Sequence, residues 1–304
     1  MKLGTPPRFD EVNSWAPAGA PEKPGEYSLG HATACAYDAL IAAPNLTLLD
    51  YPFLAQPQGP TLADTLAIAL QAYSNLLFDW LFDKFPANLV NNFVRRGLGN
   101  YTALVVNNNW GVSNQQSDPF PKGSPGRYID NPRHPFQLIV AALALVGADI
   151  VFAAGDCGAD CPNDNCGGAP QPIMSANAGA AVLSLAGCDT TDVRAGYSSQ
   201  GPSIANMPPE KPDVTAYTHF VGSEQRGKGM QDGGTSAACA VAAGCVAALR
   251  TRTSPFDIPS AALFQLLRTT ARQVAKPPGW NKDYGYGIID PVQAARKIGL
   301  IAPP

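Results

Sequence analysis

The sequence carries little charge and no long unbroken apolar run. Asp, Glu, Lys and Arg make up 15% of its 304 residues, whereas hydrophobic residues make up 45%, a balance typical of a globular protein. The formal net charge is −3, and no cluster of Lys or Arg offers an electrostatic footprint for nucleic acid. The longest apolar stretch, residues 61–85, is interrupted by polar side chains and does not resemble a transmembrane helix. We therefore expect neither a nucleic-acid nor a membrane partner.

The N-terminal residues MKLGTPPRFDEVNSW lack the apolar core of a signal peptide. This absence favours either a cytoplasmic protein or a secreted one whose chain begins downstream of its natural start. Both compartments stay open on the sequence alone.

Seven cysteines leave at least one thiol unpaired within the chain. Cys35, Cys239 and Cys245 stand among Ala and Val, which predicts small buried apolar residues. The cluster CGADCPNDNC at residues 157–166 is different, because its three thiols suit a disulfide or a metal. A fourth ligand is not evident, so we favour an ordinary loop, with or without one disulfide among Cys157, Cys161 and Cys166, over a metal site, and we expect no cofactor.

Continuous apolar runs alternate with segments of helical spacing from about residue 45 onward. Such buried strands, separated by helices, predict an α/β fold with a mainly parallel sheet and helices on both faces. Reactive groups in such sheets lie at the carboxyl ends of strands. The predicted strands are residues 45–51, 101–109, 149–156 and 180–187, and the predicted helices are residues 61–85, 134–147 and 260–271.

The stretch DGGTSAACAVAAGCVAALR, residues 232–250, places one serine hydroxyl at the start of an apolar helix. Backbone N–H groups at a helix start are unpaired and favour a developing oxyanion, which suits a nucleophile such as Ser236. Gly233 and Gly234 allow the chain to approach a substrate closely. The alternative is that Thr235 or Ser236 merely caps the helix, and the stretch alone favours that alternative.

The order of several further segments favours the nucleophile role of Ser236 over the helix-cap role. GGTSAACAVAAGCVAALR resembles the nucleophile segment of subtilisin-like serine peptidases, and LGHATACAYDALIAAPNLTLLDY, residues 29–51, resembles their histidine segment. Five further stretches resemble family segments and occur in the family's order. They are ALVVNNNWG, DIVFAAGDCG, AGYSSQGP, KPDVTAY and GYGIIDPVQAA. The resemblance implies a subtilisin-like three-layer α/β sandwich over residues 29–304, preceded by an irregular segment at residues 1–28.

The resemblance also implies roles for individual residues. Ser236 would be the nucleophile and His31 the general base, because a serine hydroxyl near neutral pH needs a base to take its proton. Asp156 would occupy the oxyanion position. His134 suits a helix cap and His219 a structural role. The implied substrate-binding residues are Asn109, Trp110, Gly111, Ala153, Ala154 and Gly155, although Trp110 is equally well read as a core aromatic.

This chain departs from the family pattern at four places. Asp10 lacks the apolar strand and the glycine that mark the third triad residue, so we do not accept it. Loss of that carboxylate costs ~10⁴ in rate in a related triad. Asp156 replaces the usual Asn, as in the related sedolisins, and donates a hydrogen bond only when protonated. Because His31 must be neutral at the same time, we predict a narrow pH window. Ala32 and Ala240 replace the usual Gly and Pro.

The missing aspartate leaves three explanations open: a start placed too late, a substitute group, or an inefficient enzyme. We predict a serine endopeptidase that forms an acyl-enzyme on Ser236 with a peptide or protein substrate. The alternative is an impaired subtilisin-like pseudo-peptidase that binds extended peptides or a partner. An α/β-hydrolase is disfavoured, because the Gly-x-Ser-x-Gly elbow is absent around Ser236.

Overall fold

A computed structural model of the chain describes residues 8–27, 30–53, 61–82, 98, 101–225, 227–274 and 276–302. Its centre is a four-stranded sheet in the order β3-β4-β5-β6, in which every neighbouring pair is parallel. The strands are β3 (Leu104–Asn108), β4 (Ala148–Ala153), β5 (Leu183–Cys188) and β6 (Val214–Tyr217). The predicted parallel α/β fold is thus confirmed.

Helices cover both faces of this sheet, because adjacent residues of the buried strands point to opposite sides. On one face, Val151 and Leu183 pack against α4 (Gly234–Arg250) and α5 (Ser260–Thr270). On the other face, Ile150 packs against α2 (Leu62–Phe82) and α3 (Pro135–Leu145). The remaining helices are α1 (Gly30–Ala42) and α6 (Pro291–Lys297).

A buried ion pair joins the last turn of α4 to the start of β4. The guanidinium of Arg250 donates from Nε and Nη2 to the two carboxylate oxygens of Asp149, at 2.6 and 2.8 Å. Both side chains are almost fully buried. The pair fixes α4 lengthwise against β4, and therefore fixes where the opposite end of α4 lies.

A short strand precedes His31, contrary to the expectation from the sequence. β1 (Arg8–Phe9) pairs in parallel with β2 (Thr47–Leu48), and Trp15 behind it is buried. A two-residue strand carries no apolar run that a sequence pattern could detect. The division of the chain at residue 28 stays a prediction, since β1 belongs to the N-terminal segment and its partner does not.

The cysteine cluster contains one disulfide, which the sequence left open, between Cys157 and Cys166. Cys161 is free and exposed. Cys35, Cys239 and Cys245 are buried free thiols, which confirms their prediction as small core residues. Within the described residues, no group of three or more His, Cys, Asp or Glu side chains could hold a metal ion.

Candidate active site

Ser236 lies in the first turn of α4 and is partly exposed. The helix cap is Gly233, which makes no side-chain cap hydrogen bond, so neither Thr235 nor Ser236 caps this helix. Gly234 has φ +79°, a left-handed conformation that favours glycine. A Cβ there would also lie 3.1 Å from the Asp156 carboxylate. The local sequence thus places the Ser236 hydroxyl at the start of the helix, next to Gly234.

Close packing of α1 on α4 brings His31 to Ser236. A Cβ on Gly244 of α4 would lie 2.2 Å from the carbonyl oxygen of Ala39 on α1, so glycine allows the two backbones to approach. His31, in the first turn of α1, is exposed. His31 and Ser236 line one narrow cavity of about 20 Å³ at the ends of the two helices. The other lining residues are Gly30, Ala34, Cys35, Asp38, Asp232, Gly233 and Ala237.

Asp156 contacts the start of α4 as a hydrogen-bond acceptor. Its Oδ1 accepts from the backbone N–H and from the hydroxyl of Thr235, both at 2.8 Å. The Thr235 hydroxyl in turn accepts from the N–H of Gly155 at 3.1 Å, which directs the hydroxyl proton to Asp156. The second carboxylate oxygen of Asp156, Oδ2, lies on the side of Gly234, near Ser236. Asp156 thus adjoins the nucleophile position, and its Oδ1 accepts hydrogen bonds from Thr235.

Two residues of the AGYSSQGP segment hold these loops in place. The Tyr197 hydroxyl accepts from the N–H of Gly234 at 2.8 Å. The Ser199 hydroxyl accepts from the N–H of Cys157 at 3.0 Å, and the Ser199 N–H donates to the carbonyl of Gly155 at 2.8 Å. The sequence pattern placed this segment in the fold but did not indicate these contacts.

The two predicted substrate-lining segments run side by side, because β3 and β4 pair up to Asn108 and Phe152. The side chain of Asn177 joins them, since its Nδ2 donates to the carbonyls of Trp110 and Ala153 at 2.9 and 2.8 Å. A Cβ on Gly111 would clash with Asn177 at 2.7 Å. Gly111 is therefore required by packing as well as being a candidate for substrate contact.

Trp110 is half-buried and packs against the aromatic core. Its ring lies 4.9 Å from that of Phe53, 5.4 Å from that of Phe136 and 5.8 Å from that of Phe152, measured between centroids. Its indole N–H donates to Asn108 at 3.0 Å. Of the two roles that the sequence left open for Trp110, the structure favours the core aromatic over the substrate-lining side chain.

The other two histidines lie away from the lining of this cavity. His134 is the cap of α3, where its Nδ1 accepts from the N–H of Phe136 at 3.2 Å, as predicted. Burial lowers the pKa of His134. His219 has φ 58° and contacts the Tyr197 hydroxyl through Nδ1 at 3.4 Å, which is consistent with a structural role.

Asp10 follows a strand, yet its carboxylate is used elsewhere. It accepts from the backbone N–H and the side chain of Asn13, and from the hydroxyl of Tyr101 at 2.6 Å. Burial alone would raise the pKa of Asp10, but these hydrogen bonds outweigh it and the net pKa is lowered. Asp10 is not among the residues that line the cavity of His31 and Ser236.

Two carboxyl groups that the sequence analysis overlooked do line that cavity. Asp38 lies two turns after His31 on α1, and Asp232 lies four residues before Ser236; both are buried. Burial first, and the charge of Asp232 second, raise the pKa of Asp38 to about 8. A lone Asp on the His31 face of an apolar helix was the available signal in the sequence.

Comparison with known proteins identifies the family. The model of the subtilase family of peptidases matches residues 4–287 of the 304. The chain belongs to the subtilase family. It is accordingly a serine-type peptidase, and its substrates are peptides or proteins.

Three solved structures have a fold similar to that of this subtilase. Their sequence identities, 16–20%, show the fold alone. A lanthipeptide protease is 16% identical, with a TM-score of 0.58, and the match covers 96% of this chain and 82% of that chain. The protease domain of PatA is 16% identical, with a TM-score of 0.59 over 96% and 89%. MycP1 from Mycobacterium smegmatis is 20% identical, with a TM-score of 0.51 over 83% and 63%. No curated protein sequence matches the chain.

Among the helices of the described ranges, none combines the length and the apolar character needed to cross a bilayer.

Proposed function

We propose that this subtilase hydrolyses peptide bonds with Ser236 as nucleophile and His31 as general base. The observation that carries the proposal is the cavity that the two residues share, formed by the first turns of α1 and α4. Residues 205 positions apart meet there, and both are accessible to a substrate. In the first step Ser236 Oγ bonds to the substrate carbonyl carbon while His31 takes its proton. His31 then gives that proton to the leaving amine, and water releases the acyl group.

The oxyanion of the tetrahedral intermediate would form beside Asp156 and the start of α4. The backbone N–H of Ser236, in the first helical turn, is one donor that needs no change of protonation. Asp156 can add a second donor only through a protonated Oδ2, because Oδ1 already accepts two hydrogen bonds from Thr235.

The substrate would lie along the segments at residues 109–111 and 153–155 as an added strand. Backbone groups at the ends of β3 and β4 are suited to hydrogen bonds with an extended peptide. Asn109, Gly111, Ala153, Ala154 and Gly155 would line the site. The carbonyl of Ala153 and both backbone groups of Gly155 already hydrogen-bond within the chain, so the peptide would bond to the other backbone groups of these segments. Asn177 holds these two segments together, because its side chain donates hydrogen bonds to both.

A fluorophosphonate probe tests the proposal, since it reacts covalently with activated serine hydroxyls. Labelling should occur in the parent chain, disappear in Ser236→Ala and fall strongly in His31→Ala. Ser117→Ala is the matched control, because Ser117 is an exposed serine away from the cavity, and its labelling should equal that of the parent. Absence of labelling from acidic to neutral pH, or labelling that persists in Ser236→Ala, would contradict the proposal and favour a peptide-binding module.

A further inference from the structure

Two of the residues that line the cavity, Asp38 and Asp232, are buried carboxyl groups that lie close together. A Cβ on Gly222 would lie 2.5 Å from Asp232 Oδ2 and 3.0 Å from Asp38 Oδ1, so both carboxyl groups converge on the same glycine. Asp38 is 1% exposed and Asp232 is 4% exposed. Neither oxygen of Asp38 receives a hydrogen bond from an N–H or hydroxyl donor of the described residues. A proton shared between the two carboxyl groups would give Asp38 a partner, and Asp232 is the neighbouring group that can provide it.

The surroundings of the two groups decide which one holds that proton. Asp232 accepts hydrogen bonds from the backbone N–H and from the hydroxyl of Ser223, and donors of this kind favour a carboxylate. Asp38 has no such donors and is enclosed by α1 and the loop before α4. The proton therefore resides on Asp38, and the pair carries one negative charge, centred on Asp232.

This charge lies on the cavity that His31 and Ser236 share. All four side chains line it, together with Cys35. The Cys35 thiol lies 3.8 Å from His31 Nε2, on the face of α1 that continues to Asp38. Burial first, then the charges of Asp38 and Asp232, raise the pKa of Cys35 to about 12, which keeps this intervening thiol neutral. A cavity of about 20 Å³ also has room for one bridging water molecule.

We infer that the singly protonated Asp38–Asp232 pair supplies the negative charge that stabilises the His31 imidazolium in this chain. The inference rests on the proposed role of His31 as general base. The pair acts through His31 and touches no substrate, so both aspartates are positioning residues. During acylation the proton of Ser236 passes to His31 and later to the leaving amine, while the proton shared by the pair stays in place. Charge thus develops on the exposed ring of His31, next to a fixed counter-charge that is itself buried.

The pair gives the site a defined dependence on pH. The titratable groups that line the same cavity as the pair are His31 and Cys35, both on α1. Above about pH 8 Asp38 loses its proton, because that is where its raised pKa lies. The pair then carries two negative charges, and His31 becomes harder to deprotonate.

Nuclear magnetic resonance titration of the His31 ring tests the inference without relying on activity. Asp38→Asn keeps a donor to Asp232 and one negative charge, so the His31 midpoint should stay within a few tenths of a pH unit. The double variant Asp38→Asn, Asp232→Asn removes the charge and should lower the midpoint by about one pH unit. Circular dichroism checks that both variants fold. An unchanged midpoint in the folded double variant, or an equal shift in the single variant, would overturn the inference.

Fluorophosphonate labelling adds a kinetic readout and separates this inference from the proposed function. The labelling rate at neutral pH should be near that of the parent in Asp38→Asn and about tenfold lower in the double variant. A parent chain that is never labelled would defeat the proposed function, whereas the His31 midpoint would still decide the inference about the pair. Glu22→Gln, which removes an exposed carboxylate, should change neither readout.

Discussion

Replacing Asp38 by asparagine should change how the free energy of unfolding depends on pH. Burial, and secondarily Asp232, raise the pKa of Asp38 from 3.8 to about 8 in the folded chain. Between these values the folded chain keeps a proton that the unfolded chain has released. Each pH unit upward therefore lowers the free energy of unfolding by about 1.4 kcal/mol through this carboxyl group. Its contribution is fully present below the unfolded pKa and is lost as the pH rises through the folded pKa.

Urea unfolding at pH 5 and pH 7, followed by tryptophan fluorescence, measures this effect. Both chains carry Ser236→Ala to prevent self-cleavage. Because asparagine does not titrate, the parent should lose about 2.7 kcal/mol more than Asp38→Asn between the two pH values. Glu22→Gln, an exposed carboxylate replacement, should follow the parent. A difference between parent and Asp38→Asn that stays constant from pH 5 to pH 7 would refute a retained proton on Asp38.

Three further substitutions test other parts of the structure. Asp156→Asn supplies a donor that needs no protonation, so the labelling rate of Ser236 by a fluorophosphonate near pH 7 should rise by about tenfold or more; an unchanged rate would contradict a donor role at this position. Arg250→Ala leaves Asp149 buried without its partner and should lower the free energy of unfolding by about 3–5 kcal/mol. Its control is the exposed Arg252→Ala, and equal losses would contradict the reasoning. Replacing both Cys157 and Cys166 by serine opens a short loop and should cost about 2–3 kcal/mol in chemical denaturation. Cys161→Ser, a free exposed thiol, should cost far less.

The parallel sheet and its helices were predictable, because buried strands leave continuous apolar runs in a sequence. The prediction of strands at residues 101–109 and 149–156 is confirmed by β3 and β4, and the helix at residues 61–85 by α2. β1 was missed for the opposite reason. Arg8–Phe9 has no apolar run, and pairing with β2 makes it a strand.

The site was only partly predictable, because side-chain direction and long-range pairing are not local properties. Family resemblance indicated His31 and Ser236, and the structure places both on one cavity. The meeting of Asp38 with Asp232 depends on how α1 packs against the loop before α4, which leaves no local pattern. Trp110 shows the same limit, since the sequence left both a lining and a core role open and tertiary packing favours the core.

A crystal structure of the chain reacted with a peptidyl phosphonate tests the central claim most directly. The account predicts a bond from Ser236 Oγ to phosphorus, a ring nitrogen of His31 within hydrogen-bond distance of the phosphonate or Oγ, and the peptide running along residues 109–111 and 153–155. An adduct on another residue, or a His31 ring turned out of the shared cavity in the reacted protein, would contradict it.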